Sequence, residues 1–260
     1  MKKAILFFTL FACIYSSYSQ ERVLTFGLQF KPLFADDIIV DRTVSQTVNN
    51  INYSLNTNTG FSFGGVIRRG ITDKISFETG INYVSRKFDI DVDDPDTFTG
   101  NSEFTIIGYE IPALALVYVQ LDKQIFMNAA FGASIDFFPS DVGTRTDEIY
   151  HISNRRSWVM PSLLANLGWE YRSKKMGYWY LGASFHKPFT NIYYSGVRYT
   201  SSTENTDAFF ELNGSYLTLD LRYFFHEDPL KKKTKEAAQP KKDVKYYRKL
   251  QKERDKANKK

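Results

Sequence analysis

Cysteine is nearly absent: Cys13 is the only one in 260 residues, and it lies within an N-terminal apolar stretch. Such a chain has no disulfide framework, no thiolate metal site and no cysteine nucleophile in its body. Long apolar runs are lacking too. The stretch from Ala4 to about Ile14 falls short of the ~20 residues a helix needs to cross a bilayer, and the mean hydropathy of -0.36 is that of a water-soluble chain. Between Gln20 and His226 no segment sustains the 3.6-residue period of an amphipathic helix. A helical domain is excluded for this region, whereas a β-barrel is not, because strands that alternate apolar and polar residues leave little trace in averaged hydropathy.

The first residues, MKKAILFFTLFACIYSSYSQ, place Lys2 and Lys3 before the apolar run and the small-residue site Ser17-Tyr18-Ser19 before Gln20, which reads as a cleaved secretory signal over 1–19. The lipoprotein alternative at Leu10-Phe11-Ala12-Cys13 suffers from the bulk of Phe11 and the short stretch before Cys13. Charge is concentrated at the other end. Residues 231–260 carry 14 Lys/Arg against 4 Asp/Glu, a net +10, which leaves -5 for residues 1–230.

What the middle does contain is period-two alternation. In 125–137, Ile125, Met127, Phe131, Ile135 and Phe137 share one face while Asn128, Gly132, Ser134 and Asp136 share the other. Leu24, Phe26, Leu28 and Phe30 oppose Thr25, Gly27, Gln29 and Lys31, and Leu217, Leu219, Leu221, Tyr223 and Phe225 oppose Thr218, Asp220 and Arg222. Eight such segments are expected, at 22–34, 59–70, 74–88, 103–119, 123–138, 157–172, 176–189 and 208–225. Most reach the ~9–11 residues of a tilted membrane-spanning strand. Short turns at 70–73, 120–122 and 173–175 alternate with long polar loops at 35–58, 89–102, 139–156 and 190–207, as in transmembrane barrels with short periplasmic turns and long outer loops. The fold class expected is all-β: an eight-stranded antiparallel transmembrane barrel over 20–226, both termini periplasmic, with a basic, partly helical or disordered tail over 227–260.

A water-soluble β-sandwich also alternates, but its apolar face is a core. Here the polar face mixes small residues with balanced charge: Lys31, Arg68, Arg172 and Arg222 against Glu78, Glu110, Asp136, Glu170 and Asp220. An eight-stranded barrel is just wide enough to be filled by its own side chains, so these charges are expected to pair across a plugged interior. Aromatic girdles are expected from Trp169, Tyr171, Tyr178, Trp179, Tyr223 and Phe225 at the periplasmic side and from Tyr83, Phe137, Phe138, Trp158, Phe209 and Phe210 at the outer side. Pro112 and Pro161, inside proposed strands, count against the reading unless they mark bulges or misplaced ends.

The residues GYEIPALALVY (108–118), NAAFGASIDFF (128–138), YLGASFHKPF (180–189) and SYLTLDLRYFF (215–225) resemble the Bacteroidota outer-membrane β-barrel family that includes the PorT-like proteins. The likeness runs from about Phe26 to Phe225 and implies the fold. Some members resemble assembly factors of secretion and gliding machinery, so an envelope-assembly role is implied only by analogy. No catalytic residue carries over, and the chain continues 35 residues beyond Phe225, where many barrels stop.

Candidate chemistry is sparse. Ser184 and His186 fall on one face and could be imagined as part of a lipid-modifying hydrolase, but no acid is placed by sequence to orient the histidine and no nucleophile elbow is present. Asp89, Asp91, Asp93, Asp94 and Asp96 form an acidic stretch that could gather Ca²⁺. Their spacing matches no complete EF-hand loop, and a solvated acidic loop is the plainer reading. No cofactor is expected. The tail, with Lys231, Lys232, Lys233, Lys241, Lys242, Lys245, Arg248 and Lys249, reads either as a solvated charge run or as an arm for a periplasmic protein, peptidoglycan or anionic lipid, with a short helix from about Asp243. Export argues against nucleic acid. The function expected is a non-enzymatic outer-membrane barrel with a structural or assembly role, in contact with outer-membrane lipid. The alternatives are a small pore or a lipid-modifying enzyme.

Overall fold

The computed structural model describes residues 24–35, 42–72, 74–95, 98–173, 176–201, 205–225, 246–252 and 254. The expected signal segment, Asp96, and Lys231, Lys232, Lys233, Lys241, Lys242 and Lys245 of the tail lie outside them. The chain divides into a unit ending at Phe225 and a second beginning at His226. Among the described residues of the second, 246–252 are helical, with Tyr246, Tyr247 and Leu250 exposed.

The described residues of the first unit form thirteen antiparallel strands: β1 (Leu24–Phe34), β2 (Thr43–Val48), β3 (Ile51–Gly70), β4 (Ile75–Asp94), β5 (Phe98–Gln120), β6 (Ile125–Phe137), β7 (Val142–Arg145), β8 (Ile149–Arg155), β9 (Val159–Ser173), β10 (Gly177–Pro188), β11 (Tyr193–Thr200), β12 (Asn205–Leu212) and β13 (Tyr216–Phe224). Eight of them pair on both sides in the order β1, β3, β4, β5, β6, β9, β10, β13, and β1 returns to β13 in the register Leu28↔Tyr223 and Phe30↔Leu221. The strand expected at 208–225 is two strands, parted at Gly214, which takes a φ of +69° that favours glycine.

Four of the other five strands lie in what read as polar loops, while β12 begins in one and runs into the segment read as the last strand; together the five build an extension on the ring. β3, β4 and β5 run on past the ring, β2 adds to β3, and β7, β8, β11 and β12 form a second sheet. The two sheets meet at their edges: Ser102 and Thr144 share a hydroxyl hydrogen bond of 3.1 Å between β5 and β7, and the Phe209 amide of β12 donates to Gln46 Oε1 of β2 at 3.1 Å. Between them sits an apolar core that includes Tyr53, Leu55, Ile90, Ile106, Phe138, Ile149, Tyr193 and Phe210.

Polarity reverses along individual strands. In the ring stretch of β4, Ile75, Phe77 and Ile81 are exposed while Ser76, Glu78 and Asn82 are buried. Ten residues further on, Phe88, Ile90 and Val92 are buried, and Lys87 and Asp93 are exposed, with Asp89 and Asp91 partly so. β5 does the same in reverse order, from buried Phe104 and Ile106 to buried Glu110 and exposed Ile111, Val117 and Val119. In β3 a register shift between Asn58 and Phe61 carries the inward face from odd to even positions.

The two prolines are accommodated without a shift of register. At Pro112 the β4–β5 ladder skips Gly80 and Ile81 and resumes in the same register, and Thr79 Oγ1 donates to the Pro112 carbonyl at 2.7 Å. Pro161 pairs with Ile135 of β6, while the β10 ladder stops one residue short, at Ser162↔Pro188. Neither proline marks a bulge; Pro112 is interior to β5, whereas Pro161 is the third residue of β9, which begins at Val159 and not at the expected 157.

Candidate functional site

Lys31, Arg68, Glu78, Glu170, Arg172, Asp220 and Arg222 all face the interior of the ring and form one alternating chain. Arg172 Nε meets Glu170 at 2.6 Å, Glu170 meets Arg68 Nη1 at 2.5 Å, and Arg68 Nη2 meets Glu78 at 2.9 Å. Glu78 also pairs with Arg222, whose Nη2 reaches Asp220 at 2.5 Å, and Asp220 ends the chain with Lys31 at 3.8 Å. In the cyclic strand order β3 and β9 are opposite walls, so the Arg68–Glu170 pair spans the interior. The guanidiniums also cover aromatic rings, Arg68 over Phe224 at 3.9 Å and Arg172 over Phe126 at 4.1 Å, where cations are held favourably out of water.

Glu110 and Asp136, expected in that network, form a separate tier with His186. His186 Nε2 lies 2.9 Å from Asp136 and 3.6 Å from Glu110, and the ring stacks on Tyr216 at 4.4 Å. Asp136 accepts from Ser134 at 3.0 Å and Ser162 at 2.7 Å, and Glu110 from Asn82 at 2.7 Å and Tyr216 at 3.2 Å. Gln29 closes the tier by donating to Asn82 at 2.5 Å. Glu110, Asp136 and His186 are the one group of three described residues whose donor atoms gather closely enough to hold a metal ion, yet both carboxylates are already occupied by protein donors.

The sequence offered no acid for His186, but the fold supplies two. It still assembles no relay. A Ser-His-Asp triad uses opposite ring nitrogens for base and orienting contacts, whereas Asp136, Glu110 and Ser134 all approach Nε2, and Nδ1 has no partner among the described residues. Ser184 is drawn elsewhere, donating to Asp220 at 2.6 Å and accepting from Asn166 at 2.8 Å.

Alternation along the sequence puts Gln29 and Asn82 on the polar face without marking them as site residues, and it leaves Arg86 unmarked. Arg86 and Asn82 share the even parity of Glu78 on β4, and that parity was the available signal. Among the described residues Arg86 also evens the interior count at five carboxylates and five Lys/Arg: Lys31, Arg68, Arg86, Arg172 and Arg222 against Glu78, Glu110, Asp136, Glu170 and Asp220. Three expected girdle members turn inward: Tyr178 packs against an interior cluster, and Phe138 and Phe210 belong to the core of the extension. Trp158, Trp169, Tyr171, Trp179, Phe209 and Phe225 are exposed.

The acidic stretch is no loop. Asp89, Asp91 and Asp93 stand at alternate outward positions of β4, where Asn58, Asn56 and Thr99 donate to them at 2.9, 2.7 and 2.8 Å. Asp94 accepts from Tyr199 at 3.4 Å. Among the described residues these carboxylates form no metal-competent group.

The extension holds one buried histidine without a nearby acid. His151 contacts Ser153 at 2.8 Å, Ser195 at 3.1 Å and the Phe104 ring at 4.1 Å, and burial pushes its pKa down to about 4 from 6.5. A histidine held neutral in the fold but protonated when unfolded takes up protons on unfolding between those values. Stability is therefore full above about pH 6.5 and declines as the pH falls toward 4, by at most about 3 kcal/mol. The thermal midpoint measured at pH 7 and pH 5 should drop accordingly, and His151→Gln, which keeps hydrogen-bonding capacity toward the serines, should flatten that dependence.

No protein-family model matches the chain, and no curated protein matches it. Among solved structures it is similar to the outer membrane protein OprG from Pseudomonas aeruginosa, at 11% identity and a TM-score of 0.48 over 80% of this chain and 98% of that one. It is similar also to the translocator domain of the autotransporter NalP from Neisseria meningitidis, at 11% identity and 0.37 over 87% and 95%. A third likeness, to the outer membrane protease OmpT from Escherichia coli, has 12% identity and 0.27 over 81% and 100%. The fold described above stands on its strand pairings, independently of these distant likenesses.

Proposed function

We propose that residues 24–225 form a closed eight-stranded transmembrane β-barrel of an outer membrane, with a plugged interior and a water-facing β extension, serving as a non-enzymatic structural or assembly component of the envelope. The reversal of polarity along β3, β4 and β5 carries this reading. The same strands expose apolar side chains around the ring and polar ones around the extension, as a molecule does when lipid surrounds one level and water the next. In water the exposed rows of Phe, Leu and Ile would form one continuous apolar belt, far beyond what soluble monomers tolerate. The resemblance to PorT-like barrels agrees with this reading and suggests the assembly role.

Short turns lie at the end where β1 begins and β13 ends, which we assign to the periplasm, and we assign the basic tail to the same compartment. Its basic residues, including Arg248 and Lys249 on the helix at 246–252, would dock on acidic headgroups, peptidoglycan or an acidic protein. Deleting 229–260 should leave the barrel folded and abolish salt-sensitive capture of anionic vesicles by the protein held in zwitterionic lipid nanodiscs; undiminished capture would remove the docking role.

The plug is tested by single-channel recording. With ion pairs spanning the interior and an apolar core above them, the full chain in a planar bilayer should show no steady openings. Reproducible unitary conductance would overturn the plugged reading and favour a pore. Unchanged lipid profiles in cells carrying Ser184→Ala and His186→Ala are expected, and an altered lipid A or phospholipid profile would restore the enzymatic alternative.

A further inference from the structure

Where ring and extension meet, a cleft open to solvent is walled by Leu33, Phe34, Val44, Leu55 and Phe88 and includes Arg86 in its lining. Arg86 is only 5% exposed. Its guanidinium lies between the rings of Phe138, at 5.4 Å, and Tyr216, at 5.0 Å, and neither Nε nor Nη1 has a hydrogen-bond partner among the described residues. The nearest tier of acids is already engaged: Asp136 with His186, Ser134 and Ser162, and Glu110 with Asn82 and Tyr216. Every other guanidinium of the interior is ion-paired.

We propose that this cleft binds a single-chain amphiphile with an anionic head, of the fatty-carboxylate class, the head taken by Arg86 and the first part of the chain by the apolar walls. A buried guanidinium with idle donors is costly unless an acceptor meets it, and a planar carboxylate matches its fork. A free inorganic anion would leave the five apolar walls unused, while an uncharged chain would leave the donors idle. Glu211 borders the cleft as well, but that side chain is exposed and accepts from Asn191, so its repulsion is screened by solvent and salt. The site rests on Arg86 and its surroundings; the membrane reading supplies only its level, at the outer edge of the lipid.

The test is calorimetric titration of the full chain in zwitterionic lipid nanodiscs, with empty discs subtracted, using laurate, dodecanol and acetate as probes. Laurate should bind saturably at one per chain, dodecanol and acetate at least about tenfold more weakly, and Arg86→Gln should weaken laurate by about tenfold or more. Absence of saturable laurate binding, equal binding of dodecanol or acetate, or unaltered binding by Arg86→Gln would overturn the proposal. Should Arg86→Gln fail to fold, Val44→Glu serves instead. It sits at a 37% exposed position of β2 and sets a carboxylate in the cleft, so it should cut laurate affinity as strongly, and unchanged affinity would overturn the site. Failure of the barrel reading would show separately, as a chain that does not insert into discs.

Discussion

Replacing Arg222 with methionine should lower the free energy of unfolding by about 3–5 kcal/mol, because it leaves buried carboxylates short of a cation. Arg222 is bound by Glu78 and Asp220, both essentially inaccessible to solvent. After its loss Glu78 retains only Arg68, and Asp220 retains Lys31 at 3.8 Å, the longest contact of the chain. Arg172→Met is the contrast. That side chain is 33% exposed, and Glu170 keeps Arg68 at 2.5 Å, so the loss should be about 1 kcal/mol. Urea titration of both variants in lipid vesicles, followed by tryptophan fluorescence, separates the two. Equal effects would mean that water reaches the whole chain of charges and that the interior is not sealed.

Phe131→Arg is the second large effect. Phe131 is the seventh of thirteen residues of β6, on the outward face and 63% exposed. If lipid surrounds the ring, this position lies near the midplane, where an arginine costs about 2–4 kcal/mol. If water surrounds it, replacing an exposed phenylalanine should change stability by no more than about 0.5 kcal/mol. The matching substitution on the extension is Glu103→Lys. Glu103 faces Asp89 directly across β5 and β4, a like-charge pair, and reversing one sign should stabilise by up to about 1 kcal/mol. Opposite responses at the two levels would place a solvent boundary between them, near Val84 to Phe88.

Period-two alternation made the ring strands legible, since Phe26, Leu28 and Phe30 against Gln29 and Lys31 can only be two faces of one strand. The same rule held in the extension but was hidden there. Ile51, Tyr53 and Leu55 alternate with Asn52, Ser54 and Asn56, and Phe88, Ile90 and Val92 with Asp89, Asp91 and Asp93, but the dense polar face made these stretches look like solvated loops. Where the exposed side chains change from apolar to polar, the apolar row turns inward, and the parity carries on unbroken through β4. The ion chain was legible in membership, because its members share the small, polar face. Its partners were not, since Arg68 and Glu170 are 102 residues apart and meet only when the ring brings opposite walls together. Arg86 was missed because its neighbours in sequence, Lys87 and Asp89, belong to the outward face.

The most direct test of the central claim is the mobility of the chain, refolded into lipid vesicles, on gels run with and without boiling, beside circular dichroism. A transmembrane barrel resists unfolding by the detergent of the gel until heated, so a β-type spectrum and a band that shifts on boiling are expected. A chain that stays in water without lipid or detergent and shows no shift would contradict it, and would mean that the exposed apolar rows of the ring are covered by protein rather than by lipid.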